Sequence, residues 1–168
     1  MSNPQQRHDK PKLGRRGEYL VVIQFVLFFG FLLTPVWNPW VSAETLADLA
    51  PARWVLGLGL GIVALLVGGL GVLNLRAYLT PMPYPVDHNR LVRHGVYGVV
   101  RHPLYSSQLF AALAWVAFSL SLSHLVLLVL GFVFFDFKGA MEESWLTARH
   151  PEYAAYAREV RKLIPWVY

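Results

Sequence analysis

The chain has 168 residues, of which 55% are hydrophobic and 15% are charged, and its formal net charge is +5. Soluble domains carry about 25% charged residues, so this composition argues against a soluble protein, and the length favours one domain. There is no cysteine, and the six histidines follow no recognised ligand spacing, so we expect neither a cysteine nucleophile nor a metal site.

The N-terminal segment predicts a tail followed by a membrane span. Residues 1–18 are polar and contain five basic side chains, which favours a cytoplasmic tail. The apolar run from Tyr19 to Val36 is long enough for a first span. Arg15-Arg16 before this run and Val41-Ser42-Ala43 after it also resemble a signal peptide. The run exceeds the usual apolar region of about 7–15 residues, so a retained anchor is favoured.

A second uncharged run, from Trp54 to Leu75, predicts the second span. It is rich in glycine, which favours close helix packing in lipid over a nucleotide-binding loop, because no strand precedes it. Residues 76–103 form a long loop. Pro81, Pro83 and Pro85 predict an extended path through its first half.

The apolar run from Leu104 to Phe135 predicts a hairpin of two short spans. As one helix, its 32 residues would extend about 48 Å, whereas the hydrocarbon core is about 30 Å thick. The polar patch Ser119–His124 interrupts the run near its middle. We therefore place the turn there and expect His124 to be an interfacial turn residue.

The C-terminal region predicts amphipathic cytoplasmic helices. One helix is expected to begin near Lys138 and to end at His150-Pro151, because proline breaks a helix. Beyond that break, four apolar side chains recur at helical spacing and are expected to seal a second helix onto the hairpin: Tyr153, Tyr156, Val160 and Leu163.

The distribution of basic residues predicts the topology. Five Lys/Arg precede the first span, four lie in the 76–103 loop and five lie from Lys138 onward, whereas the opposite side carries only Arg53. Both termini and the loop should therefore be cytoplasmic. The expected fold is an all-α integral membrane protein with about four transmembrane helices, multi-pass, in the inner membrane if the source is bacterial. Residues 19–168 form one domain. The basic residues flank apolar runs, which indicates lipid headgroups and not nucleic acid as their partner.

Ionisable residues lie at both feet of the predicted hairpin: Arg101 and His102 at one, Lys138, Glu142 and Glu143 at the other. Such groups at a membrane boundary are costly unless they are paired or used. Each also has a plain structural explanation, as a positive-inside residue or as a surface pair worth a few tenths of a kcal/mol. Together they predict a polar pocket, open to lipid, for a substrate with one charged end and one apolar end and for a polar cofactor.

The motifs of this region follow one order: Gly95-x-Tyr97-x-x-Val100-Arg101-His102-Pro103-x-Tyr105, an apolar hairpin, Glu142-Glu143-x-x-Leu146, Tyr153-x-x-Tyr156 and Ile164-Pro165. Over about residues 76–168 this order resembles the isoprenylcysteine carboxyl methyltransferase family and its bacterial relatives, which are similar to the phospholipid N-methyltransferases. The chain departs from that pattern at Ser107, where glycine is usual, and at Lys138, where arginine is common.

The resemblance implies a membrane methyltransferase that uses S-adenosyl-L-methionine in a pocket closed by the cytoplasmic loop and the C-terminal helices. It implies that the cofactor-binding residues are Leu91, Val92, Tyr97, His102, Pro103, Leu104, Tyr105 and Glu142. It also makes Arg101, Lys138 and Glu143 candidates for the catalytic role of placing the acceptor. The acceptor would be lipid-like or a small amphiphile. An isoprenylcysteine carboxylate is one candidate, although lysine at 138 lacks the bidentate grip of arginine.

The acceptor type and the function class both stay open at this level. A carboxylate acceptor needs only cations to orient it, whereas an amine or thiol needs a base, for which Glu143 or His102 would serve. An NADPH-dependent membrane reductase of the sterol reductase type carries a similar C-terminal motif. A non-enzymatic scaffold that recruits anionic lipid would use the same basic faces. The oligomeric state is also open.

Overall fold

The computed structural model describes residues 17–76 and 91–168. Most of the predicted polar tail and the proline-rich part of the predicted loop lie outside these ranges. Within them the structure is helical and contains no strand, apart from one isolated bridge between Val100 and Arg161. The helices are α1 (Glu18–Leu33), α2 (Ala43–Asp48), α3 (Ala50–Leu75), α4 (Pro103–Ser119), α5 (Leu122–Arg149) and α6 (Tyr153–Glu159), and a 3-10 helix (Gly95–Gly98) precedes α4.

Two of these helices, α3 and α5, are long and apolar enough to cross a membrane. They have 26 and 28 residues, or about 39 and 42 Å at 1.5 Å per residue. Only 11% and 22% of their most apolar windows are buried, whereas the core helix of a soluble protein is mostly buried. The other two predicted spans, α1 and α4, are shorter, with 16 and 17 residues.

The contacts of α1 define the two ends of the helical bundle. At its start, the Tyr19 hydroxyl lies 3.5 Å from the sulfur of Met141, in the C-terminal part of α5. Beyond its last residue, the Trp37 backbone N–H donates to the Ser121 hydroxyl at 3.3 Å, in the turn between α4 and α5. Helices α1 and α5 are therefore antiparallel. We call the end near Met141 the site end and the end near Ser121 the turn end.

Helix α3 runs in the opposite direction to α4. Near its start, the guanidinium of Arg53 donates to the Phe118 carbonyl at 2.6 Å, at the turn end. In its last turn, the Asn74 side chain accepts from the Val96 backbone N–H at 3.0 Å, at the site end. The start of α1, the end of α3, the start of α4 and the C-terminal part of α5 thus meet at the site end.

Glycines on α3 allow α4 to approach closely, as predicted from the composition of this span. A β-carbon added to Gly57 would lie 3.1 Å from the Phe118 side chain, and one added to Gly68 would lie 3.0 Å from Ser107. In contrast, a β-carbon on Gly69 would meet nothing within 4 Å. One face of the glycine-rich span therefore carries the packing.

The hairpin turn lies where the polar patch predicted it. Helix α4 ends at Ser119, Leu120 adopts a left-handed conformation with φ of 50°, and α5 begins at Leu122. His124 lies in the first turn of α5, close to the predicted position. Its ring is buried, and Nδ1 is 2.7 Å from the Ser121 hydroxyl.

Two predicted helix boundaries are wrong. No helix begins near Lys138, because α5 is continuous from Leu122 to Arg149. Lone glycines such as Gly139 cost about 1 kcal/mol and do not end a helix. Helix α5 does stop before Pro151, as predicted. Helix α6 ends at Glu159, so Leu163 lies outside it, in the segment that pairs with Val100, although Leu163 is buried as expected.

Candidate functional site

His102 joins the two feet of the hairpin. It precedes the first residue of α4, and its side chain is 5% exposed. Nε2 lies 2.9 Å from Oε1 of Glu143, and Nδ1 lies 3.4 Å from Oε2 of Glu142. Burial lowers the pKa of His102, but its hydrogen bonds to these two carboxylates outweigh that effect and raise the pKa above its ordinary value. The geometry therefore favours an imidazolium that donates to both carboxylates.

Arg101 ties α5 to the C-terminal segment. Its Nε donates to Oε1 of Glu143 at 2.8 Å, and its Nη1 donates to the carbonyls of Ala157 and Val160. Its backbone N–H also donates to the Arg161 carbonyl at 2.8 Å. These contacts make Arg101 a positioning residue, and its predicted contact with an acceptor stays a prediction.

Glu143 lies between two cationic groups. Its Oε1 accepts from both Arg101 and His102. A carboxylate stabilised in this way is a weak base, because protonation would cost both charge-assisted hydrogen bonds. The geometry therefore favours a structural role for Glu143 over the role of general base that an amine or thiol acceptor would require.

Glu142 is the more accessible of the two carboxylates, with 28% of its side chain exposed against 19% for Glu143. Its Oε2 accepts from the Tyr105 hydroxyl at 3.0 Å, in addition to the contact with His102. The ring of Tyr105 stacks on the His102 ring, with centroids 5.3 Å apart. Of the acidic groups in the cluster, Glu142 is thus the one best placed to meet a ligand.

Lys138 is buried and does not lie on a solvent-facing surface. Its side chain is 1% exposed, and Nζ donates to Oε1 of Gln24 on α1 at 2.5 Å. The ammonium also lies 5.2 Å from the centre of the Tyr105 ring, within the range of a cation–π contact. The Gln24 amide in turn donates to Gln108 at 3.0 Å. Lys138 is thus linked through two amides to α1 and α4.

Sequence reasoning missed Gln24 and Gln108. Both are uncharged, so both lie inside runs that appear apolar when only charges are counted. The available signal was the amide itself, since a polar side chain in a lipid-facing helix usually finds an interhelical partner. Asn74, near the end of α3, was missed for the same reason. It accepts from Val96, and a β-carbon on Gly95 (φ of 61°) would lie 2.2 Å from its oxygen.

Three predicted cofactor residues lie in or before the 3-10 helix. Val92 packs against a small buried cluster that includes Tyr97, and Leu91 is half-buried. The carbonyl of Tyr97 accepts from the Tyr156 hydroxyl at 2.6 Å. Burial raises the pKa of Tyr97, and the negative charge of Glu142 raises it further. Tyr97 is therefore within electrostatic range of Glu142.

The structure separates Pro103 and Leu104 from the charged cluster. A β-carbon added to Gly71 of α3 would lie 3.1 Å from Leu104 and 3.3 Å from Pro103, whereas one on Gly139 of α5 would lie 3.3 Å from His102. The two residues thus pack against α3 while His102 faces α5. Successive helical residues point about 100° apart, so adjacent residues of the motif face different neighbours. The predicted contact of Pro103 and Leu104 with the cofactor stays a prediction.

An apolar cavity of about 310 Å³ lies between α1, α4 and α5. Gln24 and Gln108 line it together with apolar side chains such as Phe31, Trp115 and Phe135. Phe135 stacks on Tyr105 with centroids 5.0 Å apart, and Tyr105 contacts both His102 and Glu142. The cavity is therefore separated from the charged cluster by a single aromatic ring.

No protein-family model matches the chain, and no curated protein matches it significantly. Within residues 17–76 and 91–168, no three histidine, aspartate or glutamate side chains are grouped so as to hold a metal ion.

Proposed function

We propose that the protein is an S-adenosylmethionine-dependent membrane methyltransferase with a lipid-like or small amphiphilic acceptor. One observation carries the proposal. Two parts of the chain about forty residues apart form one charged cluster, with Arg101, His102 and Tyr105 from the first and Glu142 and Glu143 from the second, and that cluster abuts an apolar cavity. A polar compartment beside an apolar one suits a reaction between a polar cofactor and an amphiphile.

Exposed apolar side chains support a location in the membrane. Val26 on α1, Leu65 on α3 and Val133 on α5 are each more than 60% exposed, and many neighbours share that exposure. Apolar surface of this extent is rare on soluble proteins. We infer that α1 and α4 span the bilayer together with α3 and α5. From the basic residues of the site end we infer that this end and both termini face the cytoplasm.

The side chains present in the cluster fit the cofactor's chemistry. S-adenosylmethionine carries an ammonium, a carboxylate, a sulfonium and an adenosine group. The partly exposed carboxylate of Glu142 suits a cationic group of this ligand. Tyr105 and Tyr97 offer aromatic rings near Glu142, and aromatic faces attract cations such as a sulfonium. The fit rests on these three residues.

The residues around the cluster would act mainly by positioning. When bound, the cofactor supplies a methyl group on a positively charged sulfur. Transfer forms a bond from the acceptor to the methyl carbon and breaks the carbon–sulfur bond, whose electron pair stays on sulfur. A carboxylate acceptor loses no proton, so alignment alone can supply several kcal/mol. Arg101 and His102 fix Glu143 and the start of α4, and Lys138 supplies a cation at the boundary with the cavity.

Calorimetry on the purified protein in mild detergent tests the proposal. We expect S-adenosylhomocysteine to bind and NADPH not to bind. Binding of NADPH alone would establish the reductase alternative instead, and binding of neither would favour the scaffold. As a matched control, Glu152→Gln on the exposed surface should leave the affinity for S-adenosylhomocysteine unchanged, whereas His102→Ala should weaken it.

A further inference from the structure

The cavity between α1, α4 and α5 is lined by aromatic side chains at its end opposite Gln24, and we call this end the floor. Phe31 and Trp115 line that end. Both rings contact His124, with centroid distances of 4.7 and 5.9 Å. His124 is buried and hydrogen-bonded to the Ser121 hydroxyl at 2.7 Å. The floor is therefore held by the hairpin turn and is not formed by loosely packed side chains.

The length of the cavity follows from the helices that line it. Its lining extends from Gln24 to Leu32 on α1 and from Leu127 to Phe135 on α5. Each stretch covers eight residue steps, which corresponds to about 12 Å at 1.5 Å per residue. An extended alkyl chain advances about 1.25 Å per carbon with ordinary bond lengths and angles. A linear tail of about ten carbons would therefore reach from Gln24 to the floor.

The polar end of the cavity indicates the head group of its occupant. Gln24 lines the cavity and accepts from the Lys138 ammonium, which lies over the Tyr105 ring. The amide groups that line this end, one of which is bonded to the buried Lys138 cation, suit an anionic head such as a carboxylate. The opposite orientation would place an anion against Phe31 and Trp115, which offer it no counter-charge.

We propose that this cavity selects an anionic amphiphile by the length of its tail, a property that we call a chain-length gauge. Phe31 and Trp115 limit the linear tail of the amphiphile to about ten carbons. The occupant would be the methyl acceptor, and in this respect the inference rests on the proposed function. The gauge itself is a binding property and requires no cofactor. The specificity residues are Phe31 and Trp115, with His124 positioning them.

Photo-crosslinking with alkanoates that carry a terminal diazirine tests the gauge. Probes of 8, 10, 12 and 16 carbons are irradiated with the purified protein in detergent, and labelled peptides are mapped by mass spectrometry. Leu73, 61% exposed on α3, reports labelling from the micelle and corrects for the greater partitioning of longer chains. We expect the ratio of label near Trp115 to label near Leu73 to peak at ten carbons and to be at least fivefold lower at sixteen.

Two variants test whether the floor sets the limit. Phe31→Ala should move the peak to twelve carbons or more, whereas Phe29→Ala, an exposed residue of α1 that does not line the cavity, should leave it unchanged. If Phe31→Ala does not fold, Ala112→Leu narrows the cavity from α4 and should move the peak to eight carbons. A ratio that is independent of chain length, or a peak that neither variant moves, overturns the gauge. A chain-length peak without binding of S-adenosylhomocysteine would support the gauge and contradict the methyltransferase proposal. Binding of S-adenosylhomocysteine without a chain-length peak would support the methyltransferase proposal and contradict the gauge.

Discussion

Replacing Glu143 with alanine should destabilise the protein substantially, although the side chain is not needed to contact a ligand. The change leaves the Arg101 guanidinium and the His102 imidazolium without their shared carboxylate oxygen. Arg101 would keep its bonds to the C-terminal segment, and His102 would keep Glu142. Both cations would nevertheless stay largely buried with less compensation.

The magnitude follows from these contacts. A hydrogen bond to a charged group contributes about 1.5–3 kcal/mol, and breaking a fully buried ion pair costs about 3–5 kcal/mol. Glu143 keeps 19% of its side chain exposed, so water screens part of this loss. We expect a loss of about 2–4 kcal/mol in the free energy of unfolding. For a protein of this size, 1 kcal/mol shifts the midpoint by about 2–4 °C, so the midpoint should fall by about 4–16 °C.

Thermal unfolding in mild detergent, followed by tryptophan fluorescence, measures this shift. Glu159→Ala is the matched control, because Glu159 is an exposed residue at the end of α6. The control should change the midpoint by less than about 2 °C, as is usual for surface substitutions. If both variants unfold within 2 °C of the wild type, the reasoning that Glu143 holds the cluster together is refuted.

Three further outcomes follow from the same contacts. The folded-state pKa of His102 is raised above its ordinary value of 6.5, so the stability it contributes is complete below pH 6.5 and is lost as pH rises through that raised pKa. As pH rises above 6.5, the unfolding midpoint of the wild type should fall more steeply than that of His102→Gln. Parallel pH profiles of the two proteins would contradict this expectation. Gly68→Ala should be less stable than Gly69→Ala by about 1–3 kcal/mol in the same unfolding assay, because only the methyl group at position 68 meets Ser107. Equal stabilities of the two variants would show that α3 and α4 do not pack as described. Asn74→Ala should speed hydrogen exchange at the Val96 amide, which loses its acceptor, and unchanged exchange would contradict that contact.

The proximity of the two hairpin feet was predictable because it follows from antiparallel geometry. Once the polar patch around Ser121 fixed the turn, residues at the start of α4 and in the C-terminal part of α5 had to be neighbours. The helices were predictable from the alternation of apolar runs and polar breaks, because an apolar run in a membrane must satisfy its backbone hydrogen bonds internally. The clustering of His102 with Glu142 and Glu143 is the result of this geometry.

The direction in which each side chain points was less predictable. Lys138 faces α1 and Gln24, and that orientation depends on how α5 is rotated against a helix more than one hundred residues away in the sequence. Pro103 and Leu104 face α3 because Gly71 leaves room for them there. The continuity of α5 through residue 138 was missed because a change from apolar to charged composition was interpreted as a helix boundary. Composition marks an interface with water, whereas proline, capping and packing end a helix.

A double-mutant cycle on ligand affinity tests the central claim most directly. The affinity of purified protein for S-adenosylhomocysteine is measured by calorimetry in the wild type, His102→Ala, Glu142→Gln and the double variant. Loss of one hydrogen bond to a charged group corresponds to about 1.5–3 kcal/mol, or about 10- to 150-fold in affinity. We predict such a loss in each single variant and a smaller combined loss than their product, because the two side chains are in contact. Wild-type affinity in both single variants would contradict the claim that the two feet of the hairpin jointly hold the cofactor.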